Sequence, residues 1–295
     1  MSTRSGFVAL AGRPNVGKST LVNRVVGEKV AIVSDKPQTT RRAIRGVATH
    51  ADWQLVLVDL PGVQRPRDPL TERMQQRMQR ELADSDVALF VLNAEQQIGP
   101  GDRFIAQAIR EVGLPAVTVL NKVDKLRSRP QVAAALEAAA ALDVQGDLFP
   151  VSARTGAWVP ELVEHLVALL PEGPFFYPPD ERTDLSESVR LAELIREQVL
   201  LRTREELPLA AEVEIDEIEE RDDGLLVIAA RVWAETESQK AILIGAGGKM
   251  VRAIGTAARR EIEAALGRRV HLDLSVRVRK GWRRDEALLD RLGID

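Results

Sequence analysis

Gly12, Arg13, Pro14, Asn15, Val16, Gly17, Lys18 and Ser19 follow a short apolar run and precede a helical pattern that continues through Thr20. A glycine-rich turn in that setting lets backbone N–H groups converge on an anion. A lysine at position 18 then reaches the outer phosphates, and a serine hydroxyl after it can ligate Mg²⁺. Alone, this pattern implies phosphate binding and leaves the base open. Asp59, Leu60, Pro61 and Gly62 close a second apolar run, where the aspartate would hold Mg²⁺ through water and the Gly62 N–H would sense a γ-phosphate. Asn121, Lys122, Val123 and Asp124 close a third. A carboxylate such as that of Asp124 accepts from the ring N–H and exocyclic amine of guanine, which adenine does not offer in that place. The three groups together imply a guanine-nucleotide site. Ser152, Ala153 and Arg154 follow a later apolar run and could present backbone N–H groups to the guanine oxygen.

Lys36, Pro37, Gln38, Thr39, Thr40 and Arg41 form a polar segment placed to complete the Mg²⁺ shell with a threonine. Either threonine could serve, and Thr40 is favoured. Attack of water on a γ-phosphate needs charge neutralisation more than covalent chemistry. Lys18, Mg²⁺ and the loop amides can supply it, with Thr40 and Gly62 on the reacting side. Arg41 and Arg42 read as a solvated switch face rather than as an arginine finger in cis.

The elements that must position these residues are an alternation of short strands and helices. Apolar runs at residues 7–11, 53–58, 87–92, 116–120 and 148–151 alternate with helical patterns at 19–26, 70–82, 102–111, 131–142 and 160–169. Such alternation predicts an α/β domain with a mostly parallel sheet and helices on both faces. Ligands of such sheets lie beyond the carboxyl ends of the strands, which is where the motifs fall. At 295 residues the chain is long enough for two domains. Prolines crowded at positions 171, 174, 178 and 179 mark the break. The expected division is 1–171 for the nucleotide domain, 172–184 for a proline-rich linker and 185–295 for a smaller α+β domain.

In that last segment a helix is expected at 185–201, strands at 209–217 and 225–232, a helix from 239, a second at 249–266 and a strand at 270–278. Between the two later helices lie Ile244, Gly245, Ala246, Gly247, Gly248, Lys249 and, one turn on, Arg252. Unshielded glycine backbone at a helix N-terminus can approach a nucleic-acid backbone closely. The formal net charge of −3 hides an uneven distribution, because acidic residues gather at 180–237 and basic ones beyond 249. Aromatic content of 4% argues for an aliphatic groove rather than stacking platforms, with Ile242, Ile244, Ile254, and Val270 or Leu272 as its candidates, although core packing is the expected role of most of them. The chain has no cysteine and only three histidines, which excludes disulfides and thiolate metal sites and disfavours a histidine-built one. No apolar run long enough for a bilayer and no signal segment are evident, so a cytoplasmic protein is expected.

In these motifs the chain resembles the Era family of bacterial GTPases, within the translation-factor-related class, over essentially its whole length. The resemblance implies a type II KH domain after the linker, slow GTP hydrolysis and a role in small ribosomal subunit maturation. It also implies binding of small-subunit ribosomal RNA near its 3′ end, action on the pre-30S particle, and reversible contact with the inner face of the membrane. Val63 stands where Ras-like proteins carry a water-orienting glutamine, so turnover of about 10⁻³ s⁻¹ or below is expected. Asn15 is expected to help bind a potassium ion, as in related GTPases with this asparagine, and the protein to be a monomer. Two other readings stay open at this stage. One is a nucleotide-regulated docking module for protein or lipid, the other an ATP-using P-loop enzyme, which Asp124 disfavours.

Overall fold

The computed structural model describes residues 3–62 and 66–294. Val63, on which the expectation of slow hydrolysis rests, lies outside the described residues. The chain divides into two compact units.

The first unit comprises Met1–Ala31, Thr40–Arg67 and Thr71–Asp184. Its elements run β1 (Arg4–Ala11), α1 (Lys18–Val26), β2 (Ile44–Thr49), β3 (Trp53–Asp59), α2 (Pro69–Ala83), β4 (Val87–Asn93) and α3 (Pro100–Val112). After these come β5 (Ala116–Asn121), α4 (Arg129–Ala140), β6 (Leu148–Pro150) and α5 (Val159–Leu169). The strands form one sheet in the order β2-β3-β1-β4-β5-β6, parallel except that β2 pairs antiparallel with β3. Side chains of a strand alternate between faces, and both faces of this sheet are covered. Val8 and Leu10 of β1 pack with Leu21 and Val22 of α1 and Leu162 and Leu166 of α5. Ala9 and Ala11 pack on the other side with Met78 of α2 and Ile105 and Ile109 of α3.

The strand β2 is absent from the sequence reading. Its residues include an arginine and a glycine, and Gly46 is required by contact rather than by turn geometry: a Cβ there would lie 2.6 Å from the Val22 side chain of α1. The proline-rich stretch 172–184, expected as a linker, is part of the first unit. Its backbone bridges Arg4 through Glu172 and Gly46 through Thr183. The buried Gln54 amide donates to the Tyr177 carbonyl at 2.8 Å and its oxygen accepts from the Phe176 and Tyr177 N–H groups. Prolines remove donors there, and the remaining donors are matched to a fixed surface.

The second unit comprises Leu185–Asp295 together with Ile32–Thr39 and Asp68–Leu70. It contains α6 (Glu187–Arg202), α7 (Leu207–Ala210), β7 (Glu212–Glu220), β8 (Leu226–Ala234), α8 (Glu237–Ile244), α9 (Lys249–Leu266), β9 (Val270–Val278) and α10 (Glu286–Arg291). The sheet order is β7-β8-β9, with β7 and β8 antiparallel and β8 and β9 parallel. A parallel pair needs a long crossover, and the α8–α9 pair is that crossover. Its core joins Ile195 and Val199 of α6, Ile228 and Val232 of β8, and Ile254, Ala258 and Ile262 of α9. The strand expected from Leu209 begins instead at Glu212, because residues 207–210 form one helical turn, and α10 lies outside the sequence reading. Residues 237–266, taken as a single helix, would be long and apolar enough to cross a membrane. The chain instead breaks at Gly245, Gly247 and Gly248, with φ of 70°, 59° and 75°.

Candidate functional site

The turn from β1 into α1 is shaped by what surrounds its glycines. A Cβ on Gly12 would lie 2.5 Å from the Val91 carbonyl oxygen, and one on Gly17, whose φ is +100°, would lie 2.3 Å from Asn121 Nδ2. Only glycine fits at either place. Lys18 is buried, and its Nζ donates to the carbonyl oxygens of Gly12 and Arg13 at 3.2 Å each. Burial pushes its ammonium below the ordinary lysine range, with the nearby Asp59 carboxylate opposing that shift. The Arg13 side chain turns to Asp102 at 2.8 Å and Gln96 at 3.0 Å, so this arginine braces the loop onto the N-terminus of α3.

Three hydroxyl and carboxylate groups converge beside the lysine. Ser19 Oγ donates to Asp59 Oδ2 at 2.6 Å, Thr40 Oγ1 donates to the same oxygen at 3.3 Å, and the two hydroxyls are 3.2 Å apart. Hard oxygen donors this close suit Mg²⁺, which takes a few protein oxygens and keeps its remaining positions for water and phosphate. Thr39 faces elsewhere, donating to the Lys36 carbonyl at 2.7 Å and meeting Ser34 Oγ at 3.0 Å. Gly62 lies against the phosphate turn, where a Cβ would come within 2.8 Å of Pro14 N. Arg41 and Arg42 are 1% and 7% exposed, which overturns the reading of a solvated switch face.

On the base side, Asn121 ties the motifs together. Its Nδ2 donates to the Val16 carbonyl at 2.8 Å, and its Oδ1 accepts from the N–H groups of Lys122 and Ala153 at 2.8 and 3.0 Å. Lys122, in the left-handed region at φ 66°, donates from Nζ to the Asn15 carbonyl at 2.7 Å. The Asp124 carboxylate accepts from Ser152 Oγ at 2.7 Å and from Arg154 Nη2 at 2.9 Å. The Ser152 hydroxyl first, and then the Arg154 guanidinium against the effect of partial burial, hold this carboxyl below its ordinary range. Arg24 grips the carbonyls of Ala153 and Arg154. Of the amides expected to face guanine, that of Ala153 is given to Asn121 and that of Ser152 to the Ala157 carbonyl.

In the second unit the loop from Gly245 to Gly248 opens beside a groove of about 380 Å³ between α9 and β9. Of the residues expected at a nucleic-acid surface, Gly248 and Arg252 line it, Lys249 is exposed nearby, and Ile244 is half-buried against the core. Of the aliphatic candidates only Leu272 lines the groove. Ile254 and Val270 are buried in the core, and Ile242 is exposed. Gly255 closes the 244–255 segment and Arg259 belongs to the basic cluster beyond 249, both marked by the sequence for RNA, and both line the groove; Val251, Thr256, His271 and Leu274 in the lining lie outside the sequence reading. The signal that could have found Val251 and Thr256 is their spacing from Gly248 and Arg252 along α9.

Residues 7–122 match a family model described as a 50S ribosome-binding GTPase, and residues 206–283 match a KH domain model. GTPase Era of Mycobacterium bovis (strain BCG / Pasteur 1173P2) is 46% identical over 295 residues, covering 98% of each chain. The chain belongs to the Era family of GTPases. Era of Halothermothrix orenii is 42% identical over 99% of both chains. The crystal structure of Era in complex with MgGDPNP and nucleotides 1506–1542 of 16S ribosomal RNA matches with a TM-score of 0.95 at 36% identity, covering 99% of each chain. An Aquifex aeolicus Era variant bound to GDP·AlF4⁻ matches at the same TM-score, identity and coverage. As an Era-family member the protein is a GTPase, built as the sequence predicts from an α/β P-loop domain and a smaller KH domain.

Proposed function

We propose that this GTPase binds Mg²⁺ with GTP or GDP in its first unit and small-subunit ribosomal RNA, near the 3′ end, in its second. It would act in the cytoplasm during assembly of the small ribosomal subunit. The observation that carries the reading is the convergence of Ser19, Thr40 and Asp59 beside the buried Lys18, from elements far apart in the chain. Gly12, Arg13, Pro14, Asn15, Val16 and Gly17 cradle the phosphates with backbone N–H groups, and Lys18 and Thr20 lie at the helix start that faces them. Ser19, Thr40 and Asp59 hold the metal, which supplies charge neutralisation on the phosphate oxygens when bound. The Gly62 N–H reads the γ-phosphate at the end of the Asp59-Leu60-Pro61 turn. Asn121, Lys122 and Asp124, with the loop of Ser152, Ala153 and Arg154, hold guanine.

Hydrolysis is water attack on the γ-phosphorus with departure of GDP. Lys18 offsets the charge that spreads over the phosphate oxygens, and Thr40 and Gly62 close the site around them. Asn15, held inside the loop at φ 63° with its carbonyl fixed by Lys122, is the residue assigned to a potassium ion. Single-turnover hydrolysis should be faster in potassium than in sodium, and Asn15→Ala should remove the difference. Equal rates in the two salts would end that assignment. RNA binding is assigned to Ile244, Gly245, Ala246, Gly247, Gly248, Lys249 and Arg252. Fluorescence titration with an RNA covering nucleotides 1506–1542 of 16S ribosomal RNA, the segment held by the Era relative, tests it. Lys249→Glu should weaken binding and flatten its salt dependence, and an unchanged titration would overturn the assignment.

A further inference from the structure

Gly255 sits in the middle of α9, an 18-residue helix, where nothing in the fold requires glycine. A methyl group placed there would meet Leu274 at 3.9 Å as its nearest neighbour, an ordinary contact. The backbone at this position is helical, so no left-handed conformation calls for glycine either. Glycine is a poorer helix former than any residue but proline, so the protein carries a weakened helix at a place where alanine would fit. Gly255 lines the groove between α9 and β9. The lining runs from Gly248, just before α9, through Arg252, Gly255 and Arg259 on one face of the helix, with an arginine about one turn to either side of Gly255. Both arginines are exposed, and Leu272 and Leu274 form the opposite wall. A cavity near 380 Å³ falls at the small end of the range for ligand sites. A flat, apolar-faced group flanked by anionic charge fits this arrangement, and a nucleobase on its phosphate backbone is such a group.

We propose that Gly255 is the residue that admits a base of single-stranded RNA to the groove: its missing side chain lets the base lie against the helix between Arg252 and Arg259. The inference rests on the RNA-binding reading above and names the position that decides how deeply the base enters. It requires stability and binding to move in opposite directions. Gly255→Ala should raise the thermal midpoint by about 2–4 °C, because alanine strengthens an unstrained helix. The same change should weaken binding of the RNA covering nucleotides 1506–1542 by about tenfold, the scale of one base contact. Gly255→Leu, also a good helix former, should weaken it further by filling the groove. The salt dependence of binding should be unchanged in both, since no phosphate contact is lost, whereas Arg259→Ala should reduce the slope by about one. A Gly255→Ala protein that is stabilised yet binds as the wild type does would overturn the inference while leaving RNA binding intact. A destabilised Gly255→Ala protein would overturn it too, by showing that the fold itself needs glycine there. Wild-type protein that fails to bind this RNA would instead bring down the RNA-binding reading, and the inference with it.

Discussion

Asp124 has its negative charge secured by its neighbours. Ser152 and Arg154 each give it a hydrogen bond, at 2.7 and 2.9 Å, and its carboxyl is held below the ordinary value of 3.8. A depressed carboxyl contributes stability above its unfolded pKa and loses it only as pH falls through the lower folded value. Guanine-nucleotide affinity limited by this group should therefore be flat from pH 8 to pH 5 and fall only under stronger acid, which calorimetry across that range would reveal. Asp124→Asn should weaken GDP binding by roughly 10–100-fold, the worth of hydrogen bonds to a charged acceptor. An unchanged GDP affinity in that variant would contradict the role assigned to the carboxylate. Asn121 differs because its amide joins three backbone groups from separate loops. Asn121→Ala would leave those groups unmatched and should cost about 1–3 kcal/mol in urea denaturation as well as nucleotide affinity. The sequence named both residues, since their types are chemically telling. It could not name Arg24, Ser152 Oγ or Asp102 as braces, because a brace is defined by who lies opposite it.

Among the elements, the α8–α9 crossover is the one whose loop chemistry decides most. Gly245 has φ of +70°, and a Cβ there would lie 2.8 Å from the Met250 Cβ and 2.9 Å from its backbone nitrogen. Gly245→Ala should thus be strained twice, by conformation and by collision, and should destabilise the protein by about 1–3 kcal/mol. At Gly247 and Gly248 the space is open and only the positive φ resists substitution, so alanine there should cost about 1 kcal/mol. Chemical denaturation of the three variants would order them, and a Gly245→Ala protein as stable as the other two would refute the geometry. Helices and parallel strands were legible because period and burial coincide: β4 is buried at every position and α9 carries a clean amphipathic stripe. β2 was not, since an edge strand with an arginine, a glycine and a mixed burial pattern has no period of its own. The proline-rich stretch misled for a related reason. Proline marks extended backbone, and whether that backbone hangs free or lies on a surface depends on partners such as Gln54 that are distant in sequence.

At the scale of the whole molecule, the division of the chain carries a consequence for function. Residues Ile32–Thr39 belong to the second unit, while Thr40, the next residue, belongs to the first and shares its site with Ser19 and Asp59. One peptide bond thus joins the Thr40 residue, whose hydroxyl lies beside Ser19 and Asp59, to a segment that is packed within the second unit. Within that unit the Val33 N–H donates to Glu197 of α6 at 3.0 Å, and the buried Arg196 donates to the Thr39 carbonyl. If a nucleotide that repositions Thr40 pulls on this segment, nucleotide and RNA should bind with a shared coupling free energy. Linkage makes the coupling reciprocal: whatever factor Mg²⁺ with a non-hydrolysable GTP analogue applies to RNA affinity, RNA must apply to the affinity for that analogue. Couplings of this kind are typically about 5–150-fold. Glu197→Ala should shrink the factor in both directions by loosening the segment, while leaving phosphate, metal and base contacts in place. Titrating each ligand with and without the other, in wild type and variant, measures it. Binding of each ligand that is indifferent to the other would mean that the segment yields without transmitting anything. The covalent junction at Thr39 and Thr40 would then be mere connectivity.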